Sequence, residues 1–167
     1  MYSFKKQIPE FKKSIDDDLK MILSESNQSS EELYQAMEYS VMNGGKRIRP
    51  LMMLASAIAI DIDTQHVIPF ATAIELLHSF SLIHDDLPCM DDDSLRRGQP
   101  TTHVKFGEAT ATLAADSLQS LAFELMAKAE FPESKSSQLE LISMIANSIG
   151  SAGMAGGQSL DLDSENK

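Results

Sequence analysis

Cysteine is nearly absent: Cys89 is the single one in 167 residues. One thiol excludes an internal disulfide and a thiolate metal cage, and it fits a reducing compartment. Positive charge is scarce too, with 14 lysines and arginines against 25 acids, a formal net charge of -11 and a pI near 4.7. That balance excludes nonspecific binding to nucleic acid or anionic lipid, so the expected partners are small molecules. The N-terminal MYSFKKQIPEF has charges and a proline where a signal peptide needs an apolar run, and no segment reads as the ~20 apolar residues of a membrane span. The expectation is a cytoplasmic chain with no membrane insertion. No stretch alternates strictly between apolar and polar residues, which argues against half-buried strands, and no internal repeat or low-complexity linker breaks the chain. Asn27-Gln28-Ser29 spells a glycosylation sequon that carries no weight without a secretion signal.

What is present is helical periodicity. Over residues 8–25, Phe11, Ile15, Leu19 and Ile22 recur at spacings of three and four, and the acids fall on the other face. Ser29-Ser30-Glu31-Glu32 has the capping-box form, and the helix it opens is expected to stop at Asn43-Gly44-Gly45. A helix follows from about Pro50, then a turn over 61–64 and a nearly all-round apolar helix from Gln65 to about Leu87, central in the domain. A loop with Gly98 and Pro100 precedes a helix from about Phe106 to Lys128, and Ser137 with Glu140 reads as the cap of the next, which reaches about Ile149. The final GSAGMAGGQSLDLDSENK carries four glycines in eight positions and is expected to add no further helix. Ten methionines read as core filling. The fold class is all-α, in one domain.

The charges are clustered. Asp85, Asp86, Asp91, Asp92 and Asp93 place five acids in nine positions at the end of the apolar helix. They cannot all ionise side by side in an apolar setting without positive charge to compensate. Carboxylates without thiolates suit a hard divalent cation such as magnesium, which keeps several waters and shares its shell with a substrate phosphate. On a straight helix Asp85 and Asp91 would face about 240° apart; Pro88 disfavours helix at Leu87 and lets the chain turn so that the two converge. A solvated acidic loop around a proline is the simpler reading of charge alone. His78 lies seven residues before Asp85, nearly two whole turns, on the same helix face with Ser81 between them. In GGKRIRP, Lys46, Arg47 and Arg49 stand just before a helix start, where free backbone N–H groups favour an anion. Lys46 could equally answer the dipole of the preceding helix. Arg96-Arg97 follows the acids; a guanidinium suits diphosphate oxygens, or the pair screens the aspartates.

GGKRIRP, LLHSFSLIHDDLPCMDDDSLRRGQPTTH and GSAGMAGGQSLDL, in this order and spacing, resemble the N-terminal half of a short-chain trans-isoprenyl diphosphate synthase of the bacterial farnesyl diphosphate synthase type. The resemblance implies that residues 1–167 are the N-terminal part of a single polyprenyl synthase domain. It also implies a helical bundle around a central cavity, usually in a homodimer. The implied reaction condenses isopentenyl diphosphate with dimethylallyl or geranyl diphosphate to give farnesyl diphosphate. The cofactor is magnesium, with manganese as a substitute, and it draws off the allylic pyrophosphate as a Lewis acid.

By the same resemblance Asp85 and Asp91 are metal ligands, with Asp86 in support. Lys46, Arg49, His78 and Arg97 bind isopentenyl diphosphate, and Arg96 binds the allylic diphosphate. Gln158 and Asp161 face the cavity, Asp161 through water to the metals. Phe80 and Ser81, which precede the first aspartates, limit the length of the prenyl tail. The family's second aspartate-rich motif and a lysine-threonine pair lie in a C-terminal half outside these residues, so the 167-residue chain alone is expected to turn over little or no substrate. Two other readings remain. One is a non-catalytic helical partner or remnant of a synthase. The other is an HD-type metal phosphohydrolase built on His84-Asp85, which needs further histidines from among His66, His78 and His103.

Overall fold

A computed structural model describes residues 4–26, 30–131 and 134–165. Eight helices carry these residues: α1 (Phe4–Glu25), α2 (Glu31–Met42), α3 (Ile48–Ala59), α4 (Thr64–Asp85), α5 (Thr102–Phe106), α6 (Glu108–Lys128), α7 (Lys135–Ile149) and α8 (Met154–Glu165). A minimal hairpin, β1 (Leu95–Arg96) and β2 (Gln99–Pro100), interrupts them. The fold is the all-α bundle the sequence calls for.

α4 is its axis. Phe70, Ala71, Ala73, Leu76, Leu77, Phe80 and Ile83 are buried on it. Its most extensive partner is α6, with α3 next, while α1 and α2 close further sides. The α6 face against it is small: Ala111, Ala114, Ala115, Leu118 and Ala122, at helical spacing, are 0% exposed. Alanines let two helix backbones approach closely, and Leu118 fills the seam. From α1 come Ile15, Leu19 and Leu23, from α2 Ala36, Met37 and Val41, and from α3 Leu54, all in one core cluster.

α4 also corrects the sequence reading on membrane spans. Its 22 residues, with a window of mean hydropathy 1.4, are long and apolar enough to cross a bilayer, yet 56% of that window is buried inside the fold. Hydropathy is high because the helix meets neighbours on nearly every side.

Several helix ends follow the local rules. Asp63 caps α4 by accepting from the Gln65 N–H at 3.0 Å, and the chain leaves α2 through Asn43 with Gly44 at φ 76°. α2 is capped by Ser30, which accepts from Leu33 N–H at 3.3 Å; Asn27, Gln28 and Ser29 lie outside the described residues. Because position N3 is Leu33, no reciprocal carboxylate completes the box.

Two ends differ from expectation. α7 begins one turn early, capped by Ser134, whose Oγ accepts from Ser137 N–H at 3.1 Å. The earlier start brings Gln138 inside, where its Nε2 donates to the Met126 and Ala129 carbonyls at 2.7 and 3.0 Å and satisfies the end of α6. The glycine-rich run also forms a helix, α8. A Cβ on Gly153 would lie 1.9 Å from the Ser148 carbonyl oxygen. The glycines serve a tight corner between α7 and α8 rather than a loose tail.

Candidate functional site

The acidic run divides into two pairs of different character. α4 ends at Asp85, and the chain turns through Leu87–Met90, with Met90 N–H donating to Leu87 O at 2.8 Å. It then returns far enough for Asp91 N–H to donate to the Asp85 carbonyl at 2.9 Å. Pro88 sits in this reversal, where its fixed φ suits a turn. The return brings the Asp91 charge to bear on Asp85: burial first, and then Asp91, push the Asp85 carboxyl above the ordinary aspartate range. Neither carboxylate makes a side-chain hydrogen bond or ion pair to a described residue.

Asp86 is committed elsewhere. It is 3% exposed and takes Arg96 Nε on both oxygens at 2.7 and 3.0 Å, with Arg96 Nη2 at 2.6 Å. Arg96 also reaches Asp93 at 3.6 Å, and the Asp86 hydrogen bond foremost raises its own pKa further. Asp85 feels the Arg96 charge only at a distance, and Asp85 and Asp91 keep their oxygens free of side-chain bonds to described residues.

The hairpin sorts the two arginines. Arg97 at φ 54° and Gly98 at φ 77° form a turn with both central residues left-handed, the geometry that matches the twist of a two-residue hairpin. Arg96 thereby faces the acids while Arg97 reaches across to α2, donating to the carbonyls of Gly44 and, at 3.4 Å, Asn43. Tyr39 Oη donates to the Pro100 carbonyl at 2.7 Å, and Thr101 Oγ1 to the Asp93 carbonyl at 2.8 Å, so the loop is held at both ends.

Beyond Arg97 lies a cavity of about 500 Å³, lined by Gly45, Lys46, Arg47, Ile48, Arg49, Glu75, His78 and Arg97. Lys46, Arg49, His78 and Arg97, grouped by the sequence reading, share its wall. Lys46 and Arg49 are exposed. Burial, then the Arg49 charge, and more weakly those of Arg97 and Arg96, hold the His78 pKa below the usual histidine value. Gly45, at φ 140°, holds a backbone conformation that side chains disfavour, and a Cβ there would crowd Arg97 Nη1 at 3.1 Å.

Arg47 departs from the sequence reading of three equivalent cations. Its backbone is left-handed at φ 50°, and its side chain turns inward, 2% exposed, onto Asp16 and Glu75. Sequence reasoning missed Glu75 and Asp16. The available signal was Glu75 one helical turn before His78, a charge inside an otherwise apolar helix. Gln158 and Asp161 lie on α8, half-buried and exposed respectively. Phe80 is buried with its ring edge-on to His84 at 4.8 Å, and Ser81 is half-buried with its Oγ donating to the His78 carbonyl at 2.9 Å.

The donor chemistry fits magnesium. Asp85 and Asp91 offer hard oxygens, and burial together with the Asp91 charge destabilises the charged form of Asp85 in a way that a divalent cation relieves. Two carboxylates leave most of a coordination shell to water and ligand phosphate, as magnesium prefers. Among the described residues no group of three or more His, Cys, Asp or Glu side chains is set to close a cage. The His84-Asp85 doublet accordingly gains no third ligand: His84 Nε2 stands 3.9 Å from Asp116, His66 is in the first turn of α4, and His103 is on α5.

Comparison with known proteins places the fold and the family. The polyprenyl synthetase family model matches residues 30–167. The chain is 51% identical to farnesyl diphosphate synthase of Escherichia coli over 134 residues, 80% of this chain and 45% of that protein. It is 44% identical to farnesyl diphosphate synthase of Bacillus subtilis over 157 residues, 93% of this chain and 53% of that one. Among solved structures, a geranyltransferase from Legionella pneumophila superposes with a TM-score of 0.93 at 38% identity, covering 98% of this chain and 58% of that one. An FPP/GFPP synthase from Zymomonas mobilis gives 0.92 at 39% identity, with 98% and 59% covered. The all-α bundle is that of the isoprenoid synthases. The chain belongs to the polyprenyl synthetase family, and it spans about half the length of these relatives.

Proposed function

We propose that these residues are the N-terminal part of a single-domain, magnesium-dependent short-chain prenyltransferase that joins isopentenyl diphosphate to dimethylallyl or geranyl diphosphate and makes farnesyl diphosphate. The observation that carries the reading is the adjacency of two unlike sites. At one, Asp85 and Asp91 make no direct ion pair with a described residue; at the other, Lys46, Arg49, His78 and Arg97 line one cavity.

Lys46, Arg49 and Arg97 bind the diphosphate of isopentenyl diphosphate by charge, and the guanidinium forks orient it. His78, its pKa lowered by burial and the Arg49 charge, donates or accepts one hydrogen bond without adding a fixed charge. Asp85 and Asp91 hold magnesium, which when bound supplies Lewis-acid stabilisation of a leaving pyrophosphate; manganese, also a hard divalent cation, can take its place. Arg96, fixed by Asp86, presents its remaining face to the allylic diphosphate, and Gln158 and Asp161 complete the cavity in the whole enzyme. The working form is a homodimer in the cytoplasm, with no nucleic acid and no bilayer among its partners.

Calorimetry with a non-ionisable allylic diphosphate analogue tests this. Binding should tighten with magnesium in the wild type and lose that dependence in Asp85→Ala/Asp91→Ala. Equal affinity with and without magnesium in folded wild-type protein would count decisively against it.

A further inference from the structure

The basic cavity contains an acid. Glu75, 2% exposed, lines it together with the residues that would hold a diphosphate. A free carboxylate there would repel the ligand and raise the cost of every nearby anion. Its charge is met by Arg47, whose Nη1 stands 2.8 Å from Glu75 Oε1, while Nε donates to Asp16 Oδ1 at 2.8 Å and Nη2 to the Val41 carbonyl at 3.0 Å. Every nitrogen of the guanidinium is engaged, and one side chain ties α1, the end of α2 and α4 to the segment that opens α3. Arg47 does this from a left-handed backbone, which turns it inward while Lys46 and Arg49 remain exposed. Strain of this kind persists where the surroundings over-determine it.

A stability role alone accounts poorly for the arrangement, because well-packed apolar residues commonly replace a buried ion pair at no loss. We propose that Arg47 is a positioning residue of the diphosphate cavity: it screens Glu75 and fixes the Lys46–Arg49 segment against α4, so that the Glu75 charge does not offset the cations of Lys46, Arg49 and Arg97 when the ligand arrives. The inference rests on reading this cavity as a diphosphate site.

The test is calorimetric titration of inorganic pyrophosphate into the wild type, Glu75→Gln, Arg47→Met and the double variant, with thermal melts alongside. Glu75→Gln should bind pyrophosphate severalfold more tightly, since the screen outlives the charge it screened. Arg47→Met should bind roughly tenfold more weakly, and the double variant should return to within about threefold of the wild type. A purely structural Arg47 predicts instead that affinity follows melting temperature and that Glu75→Gln changes nothing. Wild-type-like affinity in Glu75→Gln overturns the proposal even if Arg47→Met fails to fold. Failure of the wild type itself to bind pyrophosphate overturns the diphosphate reading, a separate and distinguishable result.

Discussion

Arg96 donates through Nε to both carboxylate oxygens of Asp86, at 2.7 and 3.0 Å, and this contact sets Asp86 apart from Asp85 and Asp91, which make no side-chain bond to a described residue. Asp86 is buried and satisfied. Asp85 and Asp91, on either side of the Pro88 turn, are not. A hydrogen bond to a charged group contributes about 1.5–3 kcal/mol. Asp86→Asn, which halves the acceptor and removes the charge, should therefore cost about 2 kcal/mol in urea denaturation. Asp86→Leu with Arg96→Met should recover most of that loss, since no charge is then left unpaired. A double variant as unstable as Asp86→Asn would refute the account of Asp86 as Arg96's partner.

Asp85→Asn should stabilise the protein in the absence of metal. The fold raises the Asp85 pKa from 3.8, mainly through burial and then through Asp91, so the native state holds its proton more tightly than the unfolded chain does. Stability is then lost as pH rises from 3.8 through the folded value, and the whole penalty is present at neutral pH. The variant should melt above the wild type at pH 7 in a chelator, with the difference closing as the pH is lowered. Excess magnesium should narrow the gap at neutral pH, because it stabilises only the wild type. A lower melting temperature for Asp85→Asn in chelator would reverse the argument.

His78 should titrate below the usual histidine range, and pyrophosphate should move it upward. Burial and the charges of Arg49 and Arg97 favour the neutral ring, so His78 contributes stability that is full above 6.5 and is lost as pH falls through that value toward the folded one. A bound diphosphate reverses the local sign. Proton NMR of the ring, assigned with His78→Gln, should show the upward shift on adding pyrophosphate. Arg49→Ala should shift the free protein in the same direction. No movement in either experiment would place His78 outside the anion site.

The fold was largely legible because apolar spacing and cap residues act locally, and α4 betrayed its central place by having no polar face. The site was legible in composition but not in direction. In GGKRIRP the three cations look alike, and only the left-handed backbone of Arg47 decides that it turns inward while its neighbours do not. Glu75 stood out as a charge in an apolar helix, but nothing in the sequence connects it to Arg47, 28 residues earlier. Arg96 and Arg97 are adjacent yet face different partners because Arg96 ends β1 while Arg97 opens the two-residue turn in a left-handed conformation. α8 was obscured because glycine marks both loose loops and tight corners, and the distinction lies in what its missing Cβ would strike.

The last prediction concerns product length in the full-length enzyme, and the structure separates the two residues involved. Phe80 is 8% exposed, belongs to the core cluster and packs edge-on to His84. Phe80→Ala should thus lengthen the product by opening depth beside α4, and it should also cost about 3 kcal/mol in stability, as truncation of a buried aromatic does. Ser81 is half-buried, about 40° around the helix from Asp85 and hence nearer the line along which a tail would extend from the metal. Among the described residues its only side-chain bond is to the His78 carbonyl within the same helix, so its replacement breaks no described link between elements. Ser81→Phe is then the cleaner probe: it should shorten the product from fifteen carbons toward ten by filling the space of the third isoprene unit, with little change in melting temperature. Chromatography of the dephosphorylated products decides between them. An unaltered product distribution in Ser81→Phe, in an enzyme that still binds magnesium and diphosphate, would remove this face of α4 from the path of the tail.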